Sequence, residues 1–117
     1  MILLSKILKI ISGKKPMKRL YILCRKDLHP TYACVQGGHA VAQFASMHPE
    51  HFKEWNNEYL IYLNGGTYRS LCQWADTLFL KYPNVPHCHF VEPDLDNQVT
   101  AIAAYCDGEI FKDMRTL

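Results

Sequence analysis

The chain has 117 residues, 49% of them apolar, 12% aromatic and 21% charged, which is enough to bury one core of ordinary size and too few for two. Six of its 13 basic residues (Lys6, Lys9, Lys14, Lys15, Lys18 and Arg19) lie in the first 19 positions beside no acid, so residues 20–117 set seven basic against 11 acidic side chains, a balance of −4. That excludes a body that grips nucleic acid by general electrostatics; any such grip must be local or lent by the amino terminus.

In residues 1–11, Leu3, Leu4, Ile7, Leu8 and Ile11 recur at helical spacing opposite Ser5, Lys6 and Lys9, which predicts a short cationic amphipathic helix stopped by Gly13 and Pro16. Residues 1–16 are therefore read as a basic extension and 17–117 as the domain. Contact of residues 1–11 with a membrane surface is the less favoured reading. The favoured one is untemplated sequence ahead of a start at Met17. Five cysteines (Cys24, Cys34, Cys72, Cys88, Cys106), odd in number and without a C-x-x-C pair, fit a reduced, cytoplasmic protein. No stretch approaches the roughly 20 apolar residues of a membrane span.

Residues 20–24 (Leu-Tyr-Ile-Leu-Cys) are apolar without interruption and end in Arg25-Lys26-Asp27, as expected of a central strand buried on both faces that opens into a polar loop. Residues 32–47 carry a helical period with Thr31 as cap, followed by a turn that Pro49 opens and that reaches Trp55. Residues 59–63 read as a second strand closed by Asn64-Gly65-Gly66. Thr67 then caps a helix whose Tyr68, Leu71, Ala75, Leu78 and Tyr82 form one apolar stripe stopped by Pro83. Strands at 87–91 and 99–105 follow, and a short helix near 107–114 ends the chain. The link at 93–98 is too short for a crossover, so the last two strands run antiparallel in an otherwise parallel sheet. The fold class is α/β: a three-layer sandwich with a four-stranded mixed sheet flanked by helices. In such layers the ligand crevice lies beyond the carboxyl ends of the parallel strands. That rule brings together Arg25-Lys26-Asp27, the start of the first helix, and Glu92-Pro93-Asp94.

Tyr32, Gln36, His39 and Gln43 fall in a sector of roughly 60° on a helix whose other faces hold Ala, Val, Cys, Phe and Gly. A polar stripe on an apolar helix faces water or a partner rich in donors and acceptors, since burial without partners costs about 1–3 kcal/mol per group. We read it as lining the crevice, with a core histidine bonded to backbone as the alternative for His39. Gly37-Gly38 inside the helix costs about 1 kcal/mol per glycine, which calls for close approach of another backbone or a ligand. Arg25 and Lys26 supply cations for phosphate, and Asp27 a carboxylate to orient a base or cap a turn. His87 and His89 share a strand face as metal ligands do, but no third ligand matches their spacing, so no metal is assigned. Glu92, at a strand's carboxyl end, is the informative acid of its cluster. Turn chemistry explains Asp94 and Asp96.

The strand end Leu-Tyr-Ile-Leu-Cys-Arg-Lys-Asp-Leu, then Val35-Gln36-Gly37-Gly38-His39-Ala40, then Thr100-Ala101-Ile102-Ala103, resemble in order and spacing the type II peptidyl-tRNA hydrolase family, most closely its peptidyl-tRNA hydrolase domain-containing branch. The resemblance implies a mixed four-stranded sheet and hydrolysis of the ester joining a peptide to the 3′ ribose of tRNA. It further implies a role in translation and ribosome rescue, with peptidyl-tRNA as partner, a homodimer left open, and no metal or organic cofactor. By position, Arg25 and Asp27 match the family's R-x-D-L loop, Gln36 and His39 match its helix motif, and Glu92 stands near the family's aspartate. The catalytic candidates are thus His39, Gln36, Glu92 and Asp27, with His39 as base, Gln36 as donor to the carbonyl, and Glu92 or Asp27 orienting the base. Arg25, Lys26, Lys18 and Arg19 are the candidates for tRNA phosphates. Two departures stand out. Thr31-Tyr32 replaces the family's Gly-Lys, and Glu92-Pro93-Asp94-Leu95-Asp96 replaces its D-A-G-x-T loop. The alternative they leave is a weakened or inactive binding module for tRNA or protein on the same fold.

Overall fold

The uninterrupted apolar run at 20–24 forms β1 (Arg19–Cys24), buried on both faces beyond its first residue. The computed structural model describes residues 17–117; the extension at 1–16, with its amphipathic segment, lies outside them. β1 pairs in parallel with β2 (Leu60–Asn64) and antiparallel with β4 (Gln98–Cys106), which in turn pairs antiparallel with β3 (His87–Glu92). The order is β2-β1-β4-β3. β1, β2 and β3 therefore point one way and β4 the other, the mixed sheet that the short link between β3 and β4 requires.

Alternation along β1 divides the interior in two. Leu20, Ile22 and Cys24 pack with Ala33, Ala40 and Phe44 of α1 (Pro30–Met47) and Trp55 of α2 (Pro49–Trp55). Tyr21 and Leu23 pack on the other face with Leu71 and Leu78 of α3 (Tyr68–Lys81) and with Phe111. The result is three layers, helix, sheet and helix, as period-2 and period-3.6 patterning dictate. Among the described residues no helix is long and apolar enough to cross a membrane.

Local chemistry moves several boundaries from their predicted places. Pro30, with φ fixed and no N–H to lose, takes the first helical position, so His29 and not Thr31 caps α1, its Nδ1 accepting from the Thr31 N–H at 3.2 Å. Thr67 caps α3 as expected, its hydroxyl accepting from the Ser70 N–H at 3.3 Å. Tyr59 stays outside β2, while Asn64 belongs to it. The helix expected near 107–114 shrinks to one 3-10 turn, Glu109–Phe111. The chain after it runs alongside β2: Asn64 N–H donates to Arg115 O at 2.8 Å and Leu117 N–H to Tyr62 O at 3.0 Å. At the opposite edge, His48 Nε2 and Gln43 Nε2 donate to the carbonyls of His87 (2.9 Å) and His89 (3.0 Å) on β3. Both sheet edges are thus covered, the arrangement that blunts edge-to-edge pairing.

The two helical glycines, read together from the sequence, separate in the structure. A Cβ at Gly37 would sit 2.6 Å from the Tyr62 ring and 3.0 Å from Cys24 Sγ, whereas one at Gly38 meets nothing within 4 Å. Gly37 is where α1 presses onto the sheet, and Gly38 faces open space. Gly37→Ala is expected to destabilise the fold by about 1–3 kcal/mol through overpacking. Gly38→Ala is expected to stabilise it by up to about 1 kcal/mol through helix propensity. Urea unfolding of the two variants beside the parent reads both signs.

Candidate functional site

α1 has no charged side chain in its 18 residues, and its four polar stripe positions all turn toward edge strand β3. Tyr32 Oη donates to Glu92 Oε1 at 3.2 Å, Gln36 Nε2 donates to the same oxygen at 3.2 Å, and Gln43 bonds the His89 carbonyl. The His39 ring lies parallel to Phe90, 4.7 Å between centroids and 14° between planes. The helix-periodic stripe and the strand-periodic face of β3 therefore meet along one seam, with Glu92 at its crevice end.

Gln36 is completely buried, and both ends of its amide are engaged. Its Oε1 accepts from Thr100 Oγ1 at 2.6 Å while its Nε2 faces Glu92. Thr100, also fully buried, reaches it because the register between β3 and β4 slips there: Phe90 pairs with Ala101 and Val91 with Val99, leaving Thr100 without a partner on β3. The bulge breaks the alternation of β4 and aims the hydroxyl at α1 with Ala101, as bulges do beside working sites. The hydroxyl fixes which way the amide lies, and the amide then presents an N–H to an acceptor-only carboxylate. Glu92 Oε1 receives two neutral donors, while Oε2 has no hydrogen-bond partner among the described residues. Partial burial first, then the bond to the Glu92 carboxylate, raises the Tyr32 phenol above its ordinary range, so it stays a donor.

Beside this relay stands a second one. Arg25, 7% exposed, forks onto Asp27, with Nε to Oδ1 at 2.9 Å and Nη2 to Oδ2 at 2.8 Å, gives Nη1 to Gln98 Oε1 at 2.7 Å, and lies over the Tyr68 ring at 5.3 Å. The fork holds the Asp27 carboxyl below its usual range and raises the guanidinium. Gln98 pairs across the ladder with Glu92, so the two relays adjoin.

Arg25, Lys26, Asp27, Gln36 and Glu92 thus lie at the carboxyl ends of β1 and β3 and the first turns of α1, with His39 further along α1 against Phe90. The stripe packs on β3 and does not line an open crevice as expected, and several expected roles change. Gln36 has no surface to offer a bound carbonyl, and its amide nitrogen faces Glu92 instead. Asp27 spends both oxygens on Arg25 and orients no base. Among the described residues neither Asp27 nor Glu92 bonds His39, whose ring is exposed. Lys26 is exposed with no ion pair among the described residues. Lys18 and Arg19 sit at the other end of β1, roughly 20 Å away at 3.3 Å per residue; there Lys18 lies over Tyr105 and Arg19 over Tyr59. They belong to the opposite pole. Thr100, Gln98 and Tyr68 complete the site without having been singled out as candidates. Thr100 alone left a signal, a hydroxyl inside the apolar run 99–105. Among the described residues no three His, Cys, Asp or Glu side chains converge in a way that could hold a metal ion.

A lowered Asp27 pKa means the Arg25 fork stabilises the fold above the unfolded carboxyl's pKa of about 3.9, a contribution lost as pH falls through the lower folded value. Asp27→Asn is expected to cost up to about 1 kcal/mol near pH 7, since the carboxylate is 40% exposed. Denaturation curves of variant and parent should converge as pH falls below the carboxylate range; a constant gap would show that charge is not the cause. Scanned against protein-family models and searched against curated proteins, the chain matches none.

Proposed function

We propose that the protein hydrolyses the ester between a peptide and the 3′ ribose of tRNA, with Glu92 as the group that activates water. One observation carries this reading: a carboxylate at the carboxyl end of β3, held on one oxygen by Tyr32 and by a Gln36 amide that buried Thr100 has already oriented. Fixing one oxygen fixes where the other points, which is what a general base needs before it meets substrate. Water placed against Glu92 Oε2 gives up a proton as its oxygen attacks the ester carbon. The proton returns to the 3′ oxygen as the C–O bond breaks. His39, exposed on the same seam and steadied by the Phe90 ring, faces the acyl group, where an imidazole N–H can meet the developing oxyanion. Lys26 supplies the cation for a terminal phosphate. Gln36 and Thr100 are positioning residues, and the resemblance of the R-K-D-L and V-Q-G-G-H-A segments to type II peptidyl-tRNA hydrolases supports the choice of substrate.

A second reading, a tRNA-end or protein-binding module on the same fold, is favoured by one feature: among the described residues His39 has no carboxylate partner and rests on the Phe90 ring, so no oriented histidine base is built. The two separate on turnover. Release of labelled peptide from peptidyl-tRNA by the full chain is expected to fall by about 10²-fold or more in Glu92→Gln and by about tenfold in Thr100→Val, the latter in kcat with KM little changed. His39→Ala should lower kcat as well. Turnover no greater than a buffer blank, with tRNA still bound, would establish the binding module.

A further inference from the structure

β3 is an edge strand, and three histidine rings gather on it. Cys88 and Phe90 pack toward α1, so alternation turns His87 and His89 to the α3 side of the sheet. Their rings stack, 5.3 Å between centroids and 28° between planes. His87 Nδ1 bonds the Val85 carbonyl at 2.8 Å, and His48 Nε2 bonds the His87 carbonyl at 2.9 Å. A carbonyl only accepts, so both bonds are made by a ring N–H, and protonating either ring leaves its bond intact. His89 differs. Its Nε2 is buried and has no hydrogen-bond partner among the described residues. The neutral ring tolerates this by carrying its proton on Nδ1, since a buried lone pair without a donor costs less than a buried charged N–H without an acceptor.

We propose that His89 is a proton-sensitive latch on the edge strand: when its ring is protonated, β3 parts from β4 and draws the Glu92 carboxylate away from Tyr32 and Gln36. Few groups face the ring. On its own strand stands His87, a second base whose charge repels that of His89, and on α3 stands Asp76, exposed and therefore screened by water. β4 opposes it with Ile102, and from α1 the Gln43 amide reaches the His89 carbonyl and not the ring. Burial first, then His87, hold the imidazole below the ordinary histidine range against the pull of Asp76. A ring freed into water protonates near about 6.5. The strand is therefore held in full above that pH and loses its hold as pH falls through it toward the lower value of the closed strand. Release stays local because β3 has β4 as its single strand neighbour in the sheet. Glu92 lies three residues beyond His89 on the same strand, so opening that end undoes the bonds from Tyr32 and Gln36.

The test is amide hydrogen exchange of the isotope-labelled full chain, read by nuclear magnetic resonance between about pH 7.5 and about pH 5.5, the span over which imidazoles titrate. Side chains take the carbonyls of His87 and His89, so the amides of Cys88 and Phe90 are the ones that face β4. With the intrinsic pH dependence of exchange divided out, their protection is expected to fall by about fivefold or more in the parent while that of β1 holds. His89→Gln, which has no ring to charge, should lose this dependence. Asp76→Asn, at an exposed position, should enlarge the acid loss, because removal of the facing carboxylate lowers the proton affinity of the closed strand further. Constant protection on β3, a fall that persists in His89→Gln, or an Asp76→Asn variant that matches the parent would overturn the proposal. Should His89→Gln fail to fold, the parent and Asp76→Asn decide. Exchange needs no turnover, so the latch stands or falls whether or not the site hydrolyses an ester.

Discussion

The hydrogen bond from Thr100 to Gln36 is the contact on which the arrangement of this molecule turns. It joins the centre of the sheet to the helix laid across it, at a point where neither side chain touches water. A buried amide left half satisfied costs about 1–3 kcal/mol, so a Gln in that position is tolerable only if the strand delivers a donor and the neighbouring strand an acceptor. The bulge in β4 delivers the first and the end of β3 the second. Regular alternation would have turned Thr100 toward α3 and left the amide without a donor. The irregularity in the sheet and the polar residue in the helix therefore explain one another.

The same seam also governs the outer edge. Gln43 and His48 bond two carbonyls of β3, while 115–117 run along β2, so both edges of the sheet are partly covered. What the surface offers a partner lies at the poles. At one pole are Tyr59, Lys18 and Arg19, with Tyr105 buried beneath Lys18; at the other are the two relays. The length of β1 parts Lys18 and Arg19 from Arg25 and Lys26, which the sequence sets only a few residues apart.

Period and punctuation made the architecture legible. The apolar run at 20–24, the Thr67 cap and the short link before β4 each act through local chemistry, so the mixed sheet and its layers follow from them. The polar stripe was legible for the same reason: a helix with Tyr32, Gln36, His39 and Gln43 on one side has to point that side at something. What it points at was not, because hydrogen-bond partners 56 to 64 residues apart in the chain leave no periodic trace. The register slip that aims Thr100 depends on how two strands pair and cannot be read from either alone. Arg25 and Asp27 show the converse. Two residues apart, they looked like independent tools for phosphate and base, and the structure closes them on each other. Lys18 and Arg19, close to Arg25 and Lys26 in sequence, stand at the other end of β1 from them.

Two carboxylates at one pole have opposite fates, and the difference decides what the site can do. Asp27 is gripped on both oxygens by a cation, which lowers its pKa and leaves it a poor proton acceptor. Glu92 is gripped on one oxygen by a phenol and an amide, both neutral, with no ion pair to it among the described residues. Neutral donors orient a carboxylate without forming an ion pair with it, so its remaining oxygen has a set direction. A helix free of charged residues is what makes this arrangement possible. A lysine at Tyr32 would form an ion pair with Glu92 and convert it into a second Asp27. A neutral residue at the head of α1 and a glutamate at the end of β3 are therefore coherent with one another.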